Sequence, residues 1–199
     1  MVKSIKISNN RGMDMKKINI RAIQKYVVFF YVYAFLGWIV DVSIRFVSDG
    51  NIINSVKTCG FLYEPICPMY GYAALVLILL SKSKRISGRG GFIKKTILAT
   101  IWCSVLEYLT AFVLWHIFHQ QWWDYSNEPY NIQGRICLAA SLLWGVLSVL
   151  FMKVIHPFVE RQLRRIANKV STKWQRILIW LAVAITVADT ILSIIFRYI

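Results

Sequence analysis

Acidic residues are scarce: nine Asp and Glu stand against 24 Lys and Arg, and charge of either sign makes up only 17% of the 199 residues. A soluble domain of this size carries more charge and less apolar side chain than the 57% present here. Cysteine is equally sparse, at four residues. That excludes a disulfide scaffold, although Cys59, Cys67 and Cys137 fall where oxidation can reach them, while Cys103 reads as helix packing. No cleavable signal peptide is expected, because the first 25 residues are polar and basic and the first apolar stretch is too long and lacks a small-residue cleavage site. Internal repeats, long linkers and low-complexity segments are also missing.

Recognisable nucleotide chemistry is absent too. The segment Gly88-Arg89-Gly90-Gly91-Phe92-Ile93-Lys94-Lys95-Thr96 is rich in glycine, but it has no glycine immediately before Lys95 and follows no strand, so it reads as a basic turn. Any ATP hydrolysis connected with this chain therefore falls to another chain. His116 and His119 have helical spacing without a third ligand, which favours interfacial histidines over a metal centre. No cofactor is expected.

What the chain has instead is long apolar runs. A bilayer core about 30 Å thick needs roughly 20 mostly apolar residues per helix. Five such windows fall at 26–47, 60–80, 92–118, 134–155 and 177–196. The expected fold is all-α, a polytopic membrane bundle of about five transmembrane helices. It divides into a basic tail, 1–25, which can lie on the membrane surface, and a membrane domain, 26–199. The second helix is expected to be broken at its outer end: Pro65 and Pro68 oppose helix there, leaving 69–80 as the regular part, too short to cross alone. Such backbone survives at membrane depth only inside protein or beside a wet cavity, so 60–68 either dips inward or forms an outer loop ahead of a proline-started helix.

The net charge of +15 follows the loops. Lys3, Lys6, Arg11, Lys16, Lys17, Arg21 and Lys25 precede the first span. Lys82, Lys84, Arg85, Arg89, Lys94 and Lys95 separate the second from the third, and Arg161, Arg164, Arg165, Lys169, Lys173 and Arg176 the fourth from the fifth. Nineteen of the 24 basic residues thus lie in alternate loops, which the positive-inside rule assigns to the cytoplasm. The N-terminus is then cytoplasmic, the C-terminus outside, and the protein a multi-pass component of the cell membrane. Anionic lipid, at about 1 kcal/mol per basic residue near the surface, is a better partner for these loops than nucleic acid.

Polar residues within the spans fall on stripes. Gly37, Asp41 and Arg45 follow at four-residue steps, Thr100, Ser104 and Glu107 mark the third span, and Thr186, Asp189, Thr190 and Ser193 the fifth. A charged residue at the centre of a membrane helix costs about 2.5–3.5 kcal/mol on insertion scales, so Asp41, Glu107, Asp189 and Arg135 need partners or water. Either they share an outer chamber, or Asp41 pairs with Arg45 and Glu107 with Arg135 as structural ion pairs. Between the third and fourth spans lies an aromatic loop. There Asp124, between Trp123 and Tyr125 and close to Trp122, suits a cationic ligand, and the loop continues through Asn131 to Gln133 and Arg135. Trp115, Trp122, Trp174 and Tyr198 read as interfacial anchors, and Ser141, Gly145 and Ser148 as close helix packing.

Five segments occur in a telling order: Phe61-Leu62-Tyr63-Glu64-Pro65-Ile66-Cys67-Pro68-Met69-Tyr70-Gly71, then Glu107-Tyr108-Leu109-Thr110, then residues 122–126, 131–138 and His156-Pro157-Phe158. Together they resemble the CmpB-like family of ABC-transporter type IV permeases, over residues 28–165. Glu64 departs from the family's usual glycine, so it either alters the chamber or pairs with Lys57, and Gln133 stands at a variable place. The resemblance implies a membrane subunit that moves a solute with an ATPase partner on the cytoplasmic face, as a homo- or hetero-oligomer. The expected binding set is Asp41, Arg45, Glu64, Glu107, Trp123, Asp124, Tyr125, Asn131, Arg135 and Asp189, taking a polar solute or a lipid headgroup. The alternatives are a membrane enzyme acting on a lipid-linked substrate, with Glu107 as base and Arg135 stabilising negative charge, and a non-transporting accessory or sensor protein.

Overall fold

A computed structural model describes residues 20–86, 88 and 90–198. The basic residues from Lys3 to Lys17, the tail expected on the membrane surface, and Arg89 lie outside the described residues. Helix α1 spans Ile20–Asp49, so residues 20–25 of the segment read as tail form its first turns. A short helix α2 (Ile52–Thr58) follows, capped by the Asn51 side chain, which accepts from the amides of Ile53 and Asn54. Next come α3 (Pro68–Lys82), α4 (Gly91–Phe118), α5 (Leu138–Leu150), a π-helical turn (Phe151–Ile155), α6 (His156–Ala167), α7 (Thr172–Ser193) and a terminal π-helical turn (Ile194–Tyr198).

Among the described residues four stretches are long and apolar enough to cross a membrane: Ile23–Asp49, Gly91–Phe118, Leu138–Ala167 and Thr172–Phe196. The 15-residue α3 is the fifth apolar helix, and at 1.5 Å per residue it reaches only about 22 Å. Its start has a local cause. Pro68 sits in the first turn, where its missing N–H costs nothing, and it holds the preceding Cys67 in extended geometry, φ −117°. The Cys67 amide donates to the Ala34 carbonyl at 2.9 Å, level with the middle of α1. The chain between α2 and α3 therefore turns into the bundle, and α3 completes the crossing from mid-depth.

Backbone exposed to apolar surroundings must find partners within the protein. In this segment Ile66 N–H reaches the Glu64 carbonyl at 2.7 Å, and Tyr63 and Glu64 N–H reach the Asp189 carboxylate at 3.2 and 2.8 Å. A second irregularity, the π-helical turn, precedes Pro157. Proline has no donor and its ring crowds the preceding turn, and the wider turn accommodates it, with His156 N–H bonding the Phe151 carbonyl. The helix then continues through residues 156–167, well beyond the boundary expected at 155.

Helix α3 packs between α1 and α4, α5 lies on α4, and α7 touches α1. One core layer joins Phe29 and Tyr33 of α1 to Ala74 and Ile78 of α3, and another joins Leu77 to Ala99 and Cys103 of α4. Close approach of α1 and α3 depends on two glycines. A Cβ at Gly37 would enter the Tyr70 ring, and one at Gly71 would lie 2.6 Å from the Phe30 ring. Large apolar side chains such as Val47, Leu142 and Trp180 are exposed, which in a chain of this composition marks a lipid-facing belt.

Candidate functional site

Lys25, Lys82 and Arg164 gather at one end of the bundle, the basic end. The expected site residues lie toward the other, far end and the middle, and they divide into three groups. The first runs across the bundle. Asp41 of α1 accepts a hydrogen bond from Tyr70 of α3 at 2.6 Å, and Arg45, one turn on, attracts it electrostatically. The Tyr70 ring lies 6.2 Å from that of Trp144 on α5. Trp144 in turn donates from Nε1 to Glu107 Oε2 at 2.9 Å. Glu107 is only 5% exposed, and its Oε1 accepts from the Tyr125 hydroxyl at 3.0 Å. A void of about 10 Å³ lies among Tyr70, Cys103, Glu107 and Trp144.

The second group fastens α7. Asp189, 7% exposed, receives the two amides of the inturned segment and the Ser193 hydroxyl at 3.4 Å. The Glu64 carboxylate accepts from Thr186 at 2.8 Å, and the Tyr31 hydroxyl donates to Thr186 at 3.1 Å. Glu64 thus joins α7 through Thr186.

The third group is the loop 119–137. Helix α4 ends with His119 in the left-handed region, φ 53°, while Gln120 N–H returns to the Leu114 carbonyl. Asp124 Oδ1 then accepts from both the amide and the hydroxyl of Ser126, at 2.9 and 2.6 Å. These bonds hold its exposed carboxyl below the usual carboxylate range. Asn131 donates to the carbonyls of Ser126 and Glu128 and accepts from Gly134 N–H. Only glycine fits at 134, where φ is 66° and a Cβ would lie 2.8 Å from Asp124 Oδ1. Asp124 and Asn131 therefore build the loop and hold its two sides together. Tyr125 N–H bonds the Gly134 carbonyl at 2.8 Å, and Trp123 Nε1 bonds the Arg135 carbonyl at 2.9 Å. Burial, and then the charge of Glu107 beneath it, raise the Tyr125 phenol above its ordinary value.

This frame sets Arg135 across α4. Its guanidinium lies over the rings of Tyr108 and Phe112, 5.6 and 5.3 Å from their centroids. It donates to Gln133 Oε1, and its second terminal nitrogen lies 3.4 Å from His116 Nε2. Arginine only donates, so that histidine nitrogen is the acceptor. Among the described residues Arg135 forms no ion pair, so the alternative of a Glu107 to Arg135 bridge is not the arrangement found. Beside it opens a cavity of about 560 Å³, lined among others by Trp115, Gln120, Trp122 and Trp123.

The sequence that builds this bundle has a counterpart among known families. The family model described as Putative ABC-transporter type IV matches residues 28–194. The chain belongs to this family. Every residue of the three groups lies within the matched region of this ABC-transporter type IV chain. No solved structure matches it.

Several polar residues that organise the protein are not obvious in the sequence. Trp144 carries no signal as a span residue, Tyr70 stands in the sequence only as part of the segment ahead of Gly71, and Thr186 only as one of the polar stripe of the fifth span, until the fold brings them to Glu107, Asp41 and Glu64. At the basic end, Glu160 is gripped by Lys25 at 2.5 Å and Arg164 at 3.0 Å, with Lys82 at 3.8 Å. His156, 3% exposed, bonds the Tyr33 hydroxyl through Nδ1 at 2.9 Å. Its Nε2 has no hydrogen bond among the described residues and lies 3.6 Å from Glu160 Oε2. The signal for Glu160 was its isolation, an acid within a run of Arg and Lys. Among the described residues no group of three or more His, Cys, Asp or Glu is disposed to hold a metal ion.

Proposed function

We propose that this chain is the membrane subunit of an ATP-driven transport system and that it binds a polar solute or lipid headgroup at the far end of the bundle. The observation that carries the reading is Arg135, a cation without a carboxylate partner among the described residues, set at a cavity of about 560 Å³ and joined to buried Glu107 through a single loop. A buried carboxylate such as Glu107 is expensive and marks ligand pathways in membrane proteins. Arg135 and Trp123 form the entry, and Tyr125 is the movable link. When its phenol leaves Glu107, a path opens from the cavity toward Trp144, Tyr70 and Asp41, with Arg45 as a second cation. Glu64 and Asp189 hold α7 and the inturned segment against this path, and Asp124 and Asn131 keep the loop in shape.

The basic loops support a cytoplasmic N-terminus by the positive-inside rule. Five crossings, counting α3 with its inturned entry, then put the C-terminus outside. On this reading the basic end meets an ATPase supplied by another chain, and the exposed apolar belts accommodate lipid and further subunits of a homo- or hetero-oligomer. The test is an affinity pull-down in mild detergent from the native host with mass spectrometry of the retained proteins. A stoichiometric ATPase is expected; its reproducible absence from intact protein would remove the transport reading.

A further inference from the structure

We infer that the far-end cavity takes the anionic headgroup of a phospholipid, with an acyl chain laid along α4. The inference deepens the reading of this cavity as a ligand site and rests on it. Charge comes first. The Arg135 guanidinium is held flat by Gln133, His116 and the two rings. A planar, pre-oriented guanidinium presents its remaining N–H groups in the fork that matches a phosphate, and among the described residues no carboxylate competes for them.

The apolar surface below it carries the second step. Phe112, Tyr108, Val105 and Ile101 succeed one another at intervals of four, three and four residues, so they lie on one face of α4. The stripe starts at the cavity lining and runs toward the middle of the helix. Phe112, Val105 and Ile101 are 40%, 43% and 55% exposed. A soluble anion would use Arg135 alone and gain nothing from this stripe. An anionic phospholipid satisfies both at once, the phosphate on Arg135 and the chain over Val105 and Ile101. The surrounding bilayer supplies it at high local concentration, and the cavity volume of about 560 Å³ is within the range of roughly 300–1,000 Å³ that takes a small ligand.

The experiment is native mass spectrometry of the purified full chain in detergent, offered equal amounts of phosphatidylglycerol and phosphatidylcholine. Wild type should retain phosphatidylglycerol about tenfold over phosphatidylcholine, as a charge-assisted contact implies. Arg135→Gln should bring the ratio near parity, Arg135→Lys should keep part of it, and Ile101→Glu should reduce retention with Arg135 intact. Gel filtration checks that each variant is folded. If Arg135→Gln fails that check, Ile101→Glu and Arg135→Lys decide. Selectivity unchanged in the folded variants would assign the lipid to the basic loops and overturn the inference. Inorganic phosphate displacing the lipid, with no effect of Ile101→Glu, would make the site one for a free anion. That result ends the lipid inference and leaves the cavity a ligand site. Parity in wild type also overturns the lipid inference, while the pull-down judges the transport reading separately.

Discussion

Glu107 is where the chemistry of single residues is most exposed to test. Its two oxygens satisfy donors from different elements, the Trp144 indole on α5 and the Tyr125 phenol in the loop. Removing the carboxylate leaves two partly buried donors unmatched, at up to about 1–3 kcal/mol for each. Glu107→Ala should therefore unfold at a clearly lower temperature than Glu107→Gln, whose amide oxygen still accepts one of the two bonds. Circular dichroism followed during heating in detergent checks this. Equal melting of the two variants would mean that the hydrogen bonds contribute nothing measurable. Asp124 shows how residue type and role separate. An acid beside indoles suggests a cation site, yet its Oδ1 closes a turn on Ser126, a local pattern that an Asp two residues before a Ser already encodes.

At the scale of elements, the attachment of α7 is polar. Asp189 receives the Tyr63 and Glu64 amides, and Thr186 meets Glu64 and Tyr31. Asp189→Ala should raise hydrogen exchange at the amides of Tyr63 and Glu64 by at least about tenfold, while those in the middle of α4 stay protected. Asp189→Asn, which keeps one acceptor oxygen, should fall between. Unchanged exchange in the alanine variant would mean that another contact holds the inturned segment. The apolar spans were legible in the sequence because membrane length and composition determine them almost alone. Pro65 and Pro68 likewise announced the break before α3, but its depth was not legible, because that depends on the Cys67 amide finding the Ala34 carbonyl across the fold. The helix through residues 156–167 escaped notice for a different reason. Its three arginines, Arg161, Arg164 and Arg165, read as loop charge, although Val159, Leu163 and Ile166 recur beside them at helical spacing. The pairings of Asp41 with Tyr70 and of Glu107 with Trp144 lay beyond the sequence, since each joins helices whose relative rotation no single stripe determines.

The whole molecule is asymmetric, with a basic end organised around Glu160 and a far end organised around Arg135 and the aromatic loop. Cysteine placed at Asn127 or Lys57 should react with an impermeant thiol reagent on intact cells, the four native cysteines being buried thiols. Labelling only after permeabilisation would reverse the orientation. If the chain is the membrane subunit proposed above, the far-end site governs an ATPase bound at the basic end. This is tested most directly by the rate of ATP hydrolysis of the chain with its co-purified ATPase, reconstituted in vesicles of host lipid extract. Arg135→Gln and Glu107→Gln should each lower ATP turnover at least about tenfold, roughly 1.4 kcal/mol in activation free energy. Turnover equal to wild type in both folded variants would contradict the proposal.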